Sequence, residues 1–163
     1  RAERDRKPEA FDVFDVKRVG PSEGEPLDDE LVEKLRRDLE GLISGELKAA
    51  DLLARRPPPP AWARRRAPPV ETQVLISDSV SPHFTVIDVF TRDRPGLLHA
   101  IARTLHEQGL SIALSKVVTE GDRAADSFYV AGADGAKLGE RHESVRRALF
   151  AAIEGLEMRE ATP

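Results

Sequence analysis

The chain has 163 residues, of which 40% are hydrophobic and 33% charged, so it can hold one ordinary domain or a small domain with part of another. It has no cysteine, which excludes disulfides, thiolate nucleophiles and cysteine-based metal sites and fits a cytoplasmic protein. Its apolar runs are too short to cross a membrane, and the formal net charge of -4 gives no general attraction to nucleic acid.

A proline-rich stretch divides the chain. Pro57 to Pro60 is a run of four prolines among arginines, and such a run favours an extended, semi-rigid spacer. We interpret the arginines as part of a solvated spacer and not as an RNA contact. The predicted division is therefore residues 1–46, a linker over residues 47–70 and a fuller domain over residues 71–159.

The fuller domain follows a strand and helix pattern. Two strands, a helix, a hairpin of two strands and a last helix are predicted over residues 74–76, 84–90, 97–105, 110–119, 125–131 and about 140–154. The second strand is apolar on both faces, which is typical of a central strand. Glu120, Gly121 and Asp122 are turn residues between the hairpin strands. The order strand, helix, strand, strand, helix indicates a ferredoxin-like α+β fold.

The N-terminal segment repeats the second half of this unit. Asp12-x-Phe14-x-Val16 aligns with Asp126-x-Phe128-x-Val130, and residues 35–39 of a leucine-rich helix align with residues 145–149. A strand match followed at nearly the same distance by a helix match indicates a second copy. Because the chain opens on Arg1 and not on Met, we expect it to be part of a longer protein, with the rest of the first copy upstream.

The turn before the first helix of the fuller domain is a candidate binding loop. The first amides of a helix lack intrahelical partners and lie at the positive end of its dipole, so they suit a carboxylate. Asp93 offers a partner for an ammonium group and a favourable charge for the helix start, Pro95 fixes the backbone at the first helical turn, and Gly96 lets a ligand approach. The same residues also make a good helix start without any ligand, and their spacing does not separate the two interpretations.

The strand from Leu110 changes face near its middle. Leu110 and Ile112 have one parity, whereas Val117 and Thr119 have the other. A β-bulge near residues 113–115 would reconcile the two halves, and bulges often lie beside sites. An exposed edge at Lys116 without a bulge explains the pattern equally well.

Catalytic and metal sites find no support in the sequence. No Ser/His/Asp arrangement, phosphate-binding loop or dinucleotide fingerprint is present, and Phe128 and Tyr129 alternate faces, so they cannot form a base-stacking pair. We expect no catalytic residue, no metal and no cofactor here. The four histidines lack ligand spacing with acidic residues and are interpreted as surface or helix-face residues; they are His83, His99, His106 and His142.

Several motifs together resemble an ACT domain: Phe84-x-x-Ile87-x-Val89, Asp93-Arg94-Pro95-Gly96-Leu97-Leu98, Gly109-Leu110-x-Ile112, Thr119-x-Gly121 and Asp126-x-Phe128-x-Val130. They are most similar to the tandem ACT pair of bacterial protein-PII uridylyltransferase/uridylyl-removing enzymes. This resemblance implies a ferredoxin-like βαββαβ fold, an antiparallel sheet with two helices on one face, preceded by the strand and helix of a second copy. Its final strand would be residues 156–158, or residues 74–76 in a permuted order.

The resemblance also implies an amino-acid-sensing role with glutamine as ligand. In the family, one catalytic domain attaches UMP to PII, a metal-dependent domain removes it, and glutamine favours removal; Mg serves those catalytic domains, whose signatures are absent here. The partners implied are glutamine, the catalytic domains, PII and a second ACT unit. The ligand-binding residues implied are Asp93, Arg94, Pro95, Gly96, Leu97, Leu98, Ile112, Ala113 and Ser115.

Two alternatives remain open at this point. The module could serve dimerisation or docking without a ligand, or it could belong to another enzyme such as a stringent-response synthetase. ACT ligand sites usually form between two units, so a site that needs both copies would not be whole in this chain.

Overall fold

The structure, a computed structural model, describes residues 13, 16, 25–55 and 70–161. The chain divides into two compact units, residues 1–48 and residues 49–163. The predicted strand over residues 10–16 (Val13 and Val16 apart) and the prolines at 57–60 lie outside the described residues. Within the described part, no helix combines the length and apolar character that crossing a membrane requires.

The described part of the first unit contains one long helix, α1, over Asp29–Ser44. Its start is capped by Asp28, whose carboxylate accepts a hydrogen bond from the Leu31 amide at 2.8 Å. Gly45 ends it in the left-handed conformation with φ 81°. The predicted leucine stripe therefore does form a helix, but its side chains stay about two-fifths exposed, as at Leu35 and Leu39.

The second unit begins with a short helix, α2, over Ala49–Ala54, which lies within the predicted linker. A four-stranded antiparallel sheet follows, with β1 at Gln73–Ser77, β2 at Thr85–Arg92, β3 at Leu110–Glu120 and β4 at Arg123–Gly132. Helix α3 spans Leu97–Glu107, and α4 spans His142–Ala161 after a short 3-10 turn at Gly139–Arg141. This arrangement confirms the predicted ferredoxin-like α+β fold.

The fourth strand comes from the start of the unit and not from its end. Strands lie in the order β1-β2-β4-β3, and β1 pairs antiparallel with β2, with Val74 opposite Val89. Residues 156–158 continue α4, because Ile153 is fully buried and Leu156 packs against the same core, so the helical stripe runs on. The element order is thus β-β-α-β-β-α. Of the two predicted positions for the fourth strand, the permuted one, residues 74–76, is correct.

The core lies between one face of the sheet and the two helices. Side chains alternate across β2 and β4, as expected for strands that point successive residues to opposite faces. Ile87, Val89, Phe128 and Val130 are fully buried on the helix side. The opposite face carries exposed apolar side chains, among them Leu75 and Phe90.

Strand β3 forms one edge of the sheet and is exposed along nearly all of its length. The register with β4 shifts between Ile112 and Leu114, so of the two alternatives left open by the sequence the bulge is the one present. Beyond the shift, Val117 and Thr119 point to the helix side of the sheet, since they lie opposite Asp126 and Ala124. Their exposure shows that the helices do not cover this part of β3.

Candidate functional site

The loop between β2 and α3 is built by a type II turn. The Leu97 amide donates a hydrogen bond to the Arg94 carbonyl at 3.1 Å, which closes a four-residue turn. Gly96 has φ 82° and ψ 2°, the values of the third position of a type II turn, and Pro95 occupies the second. Pro95 thus lies just before the helix and not in its first turn as predicted.

This turn leaves the first helical amides without acceptors. After Leu97, whose amide closes the turn, the next residue of α3 to donate back along the chain is Ala100, to the Gly96 carbonyl at 2.9 Å. Among the described residues, the amides of Leu98 and His99 donate to no acceptor. Gly96 offers no side-chain cap, and Asp93 does not reach back to act as one. The Asp93 carboxylate is exposed and lies beside this helix start, whose free amides suit an anion.

We predict that Gly96→Ala lowers the free energy of unfolding by about 1 kcal/mol, because an L side chain is strained in the left-handed region. A methyl group there meets no atom closer than 3.7 Å, so the cost is conformational and not steric. Urea denaturation of the two proteins measures the difference. Gly96→Asn is the matched control, since Asn tolerates this conformation, and an equal loss in both variants would contradict the argument.

The Arg94 side chain is buried and bonded within the fold. Its side chain is only 4% exposed, and its guanidinium donates to Glu157 Oε1 at 2.7 Å. A second bond runs from Nε to the Arg92 carbonyl at 3.3 Å. Arg94 therefore fastens the binding loop to the end of α4, and Leu97 beside it is buried in the core. Of the predicted loop residues, Asp93, Pro95 and Leu98 are exposed, and Asp93 is the one that carries a charge.

Acidic side chains gather at this end of the sheet. The Asp93 amide donates to the Asp122 carbonyl at 2.8 Å, which joins the loop to the turn between β3 and β4. Asp126 is 2% exposed and points to the helix side of β4. Burial raises the pKa of Asp126, and the charge of Asp93 raises it further, against a hydrogen bond from the Val118 amide.

The second half of the predicted site lies far from the loop within one chain. Ile112, Ala113 and Ser115 belong to the first part of β3, whereas the loop lies at the end where β3 reaches Glu120. At about 3.4 Å per residue, Ser115 is roughly 17 Å along the strand from that end, and Ile112 is farther. One chain does not bring the two predicted halves together.

The loops at the other end of the sheet hold a second polar cluster. Asp78 accepts hydrogen bonds from the Thr85 hydroxyl and from the Gly139 amide at 3.1 Å, and its Oδ2 lies 2.9 Å from His142 Nε2. His142 is thus a partly buried partner of a carboxylate and not a plain surface residue. Across residues 25–55 and 70–161, no three His, Cys, Asp or Glu side chains form a metal-binding group.

Asp126 is the candidate residue that sequence reasoning did not select. It was noted only as part of a motif shared by the two half-repeats. One signal was available, because a carboxylate at Asp126 interrupts the buried parity that Ala124, Phe128 and Val130 occupy. A charged residue on the inner face of a central strand is rare unless it is paired or functional.

Comparisons with known proteins agree with this fold. The family profile of the ACT domain matches residues 85–141, from β2 to the turn before α4. The chain is 35% identical over 147 residues to the bifunctional uridylyltransferase/uridylyl-removing enzyme of Rhodospirillum rubrum, with 88% of this chain and 15% of that protein covered. It is 37% identical over 148 residues to the protein of the same name from Azospirillum brasilense, again with 15% of that protein covered. The chain therefore spans about 15% of the length of these relatives. No solved structure gave a significant match.

Proposed function

Since residues 85–141 belong to the ACT domain family, we propose that this chain is a regulatory module that senses glutamine for a cytoplasmic uridylyltransferase/uridylyl-removing enzyme in nitrogen regulation. The parent's catalytic domains and PII are its proposed partners. This part of the proposal rests on relatives about six times longer than the chain, since the alignment covers 15% of the Rhodospirillum rubrum protein. The assignment of residues 1–46 to half of a first ACT unit stays a prediction.

The observation that carries the proposal is the pairing of free amides with a nearby carboxylate. The Leu98 and His99 amides point from the start of α3 without acceptors among the described residues, so they suit the carboxylate of an amino acid. Asp93 is exposed in the same loop and suits its ammonium group. The rigid turn around Pro95 holds these groups in place before the ligand arrives, which reduces the entropic cost of binding.

Calorimetric titration of the chain with glutamine tests this function. Asp93→Ala should weaken binding at least about tenfold, because a charge-assisted hydrogen bond contributes roughly 1.5–3 kcal/mol. Asp134→Ala is the matched control, since Asp134 is an exposed carboxylate in the turn after β4, at the opposite end of the sheet from the start of α3. Equal binding by the wild type and by Asp93→Ala would contradict the assigned role of the loop, and no binding by a protein with two full ACT units would contradict glutamine sensing.

A second candidate function is pairing of ACT units through β3. This edge strand runs for 11 residues and hydrogen-bonds only to β4 within the described chain. It exposes Ile112, Leu114, Val117 and Val118 by roughly a third to a half of their surface. A long apolar edge is a ready template for strand addition. Pairing there would also bring Ile112, Ala113 and Ser115 of one unit toward the loop of another.

Sedimentation at several concentrations distinguishes the two candidates. A purely structural module would dimerise to the same extent with and without glutamine. A sensing module whose site lies between units would dimerise more strongly when glutamine is present, because the ligand binds the paired state preferentially. Leu114→Lys on the edge should abolish the pairing in either case.

A further inference from the structure

The Asp126 carboxylate has one buried oxygen without a partner among the described residues. Its Oδ1 is buried and accepts no hydrogen bond from any residue that the structure describes, and the same holds for Oδ2 of Asp122 at this end of the sheet. A buried polar atom without a partner costs free energy, and a carboxylate oxygen costs more than a neutral group. Such an atom in a folded protein therefore calls for a specific explanation.

No basic side chain among the described residues neutralises the Asp126 carboxylate. In the described part of the chain, no Lys or Arg forms an ion pair or hydrogen bond with Asp93, Asp122 or Asp126. Arg94 is nearest in sequence to Asp93, and its bonds go to Glu157 and to the Arg92 carbonyl. Arg92 and Arg123 pair with each other in the register and alternate to the opposite face of the sheet from Asp126.

Open surface begins beside Asp126. Val117 lies directly opposite it on β3 and is 48% exposed, although both residues have the parity that faces the helices. Neighbouring strands lie about 4.8 Å apart, so solvent reaches within one strand spacing of the buried carboxylate. On the other side, the negative charge of Asp93 contributes to raising the pKa of Asp126. Two carboxylates without a basic partner suit an organic cation such as an ammonium group. The described residues hold no group of three ligands for a metal ion.

We propose that Asp126, together with Asp93, binds the ammonium group of a small zwitterion whose carboxylate lies on the first amides of α3. This inference deepens the proposed function and rests on it, since it names the group that recognises the ligand's amine in the same site. The two carboxylates surround the ammonium from β4 and from the loop, and the free amides of Leu98 and His99 hold the opposite charge. A ligand without an ammonium group leaves Asp126 without a partner.

The test titrates the whole chain and two variants with three ligands. The ligands are L-glutamine, its desamino analogue and its decarboxylated analogue. Asp126→Asn keeps the shape and an acceptor for the Val118 amide but removes the charge. Asp88→Asn is the matched control, because Asp88 is on the neighbouring strand with its side chain on the other face, bonded to Ser127. Circular dichroism confirms that each variant is folded.

We expect Asp126→Asn to bind glutamine at least about tenfold more weakly than wild type, and Asp88→Asn to bind it equally well. The desamino analogue should not bind, and the decarboxylated analogue should bind weakly and only when Asp126 is present. Equal glutamine binding by wild type and Asp126→Asn would overturn the inference and leave glutamine sensing standing. Binding of other α-amino acids but not glutamine, still dependent on Asp126, would overturn the glutamine assignment and support the ammonium site. No binding by any α-amino acid would overturn both.

Discussion

Asp78→Ala should lower the free energy of unfolding by about 3 kcal/mol, the largest loss we expect from a single change outside the apolar core. Asp78 lies just after β1 and ties the β1–β2 loop to the start of α4. It accepts from the Thr85 hydroxyl, which is fully buried and in turn accepts from the Leu138 amide at 2.9 Å. Removing the carboxylate leaves the Thr85 hydroxyl and the Gly139 amide without their acceptor.

Asp78→Ala should also change how the free energy of unfolding depends on pH. Burial opposes ionisation of Asp78, but the hydrogen bonds from Thr85 and His142, the charge of His142 and the Gly139 amide outweigh it, so its pKa lies below the ordinary value of 3.8. A lowered pKa means that the unfolded state binds the proton first as the pH falls. The stabilisation by Asp78 is therefore complete above pH 3.8 and is lost as the pH falls from there through the lowered pKa.

Urea denaturation followed by circular dichroism at pH 7 and at pH 3 measures both effects. The difference between wild type and Asp78→Ala should be large at pH 7 and smaller at pH 3. Asp134→Ala is the control, because this carboxylate is exposed and only supports a turn amide at 3.0 Å. A difference from wild type of less than about 0.5 kcal/mol at pH 7, typical of an exposed position, would show that the Asp78 cluster does not stabilise the fold.

Most of the fold could be predicted from the sequence because its elements follow simple periodicities. The apolar run of β2 and the helical stripe of α3 are local patterns, and both follow directly from which residues face the core. The opposite parity of Leu110 and Val117 was visible as well, but it fitted a bulge and a plain exposed edge equally well, and only the register with β4 decides for the bulge. The placement of β1 could not be predicted, because short runs such as residues 74–76 and 156–158 carry too little pattern to select a partner strand. Only tertiary pairing with β2 decides between them.

The candidate binding loop could be predicted from the sequence only in part. Pro95 and Gly96 indicate a turn before a helix, and the structure shows that turn. Arg94 and Leu97 belong to the same motif and make contacts within the fold, an ion pair to Glu157 and burial in the core, which sequence spacing does not reveal. Asp126 became a candidate only when burial, register and the missing partner were considered together, since each depends on residues distant in the chain.

Asp126→Asn should raise the free energy of unfolding at pH 7 by about 2 kcal/mol, the opposite sign to its effect on binding. Burial and the nearby charge of Asp93 hold the pKa of Asp126 above its ordinary value of 3.8. Between pH 3.8 and the raised pKa, the folded state keeps a proton that the unfolded state has lost, so stability falls as the pH rises through this range. Asparagine is neutral at every pH and removes this penalty.

The advantage of Asp126→Asn over wild type should therefore be greatest at neutral pH and disappear as the pH falls toward 3.8, the pKa that an unperturbed Asp would have. Paired urea denaturation of the two proteins across this range measures the difference directly, and Asp88→Asn should show no comparable gain. A side chain kept for stability would cost stability when its charge is removed. A charge kept for a ligand lowers the stability of the free protein, and binding of the ammonium group offsets that loss. A more stable Asp126→Asn protein that has lost its ligand is the combination that a structural role cannot produce.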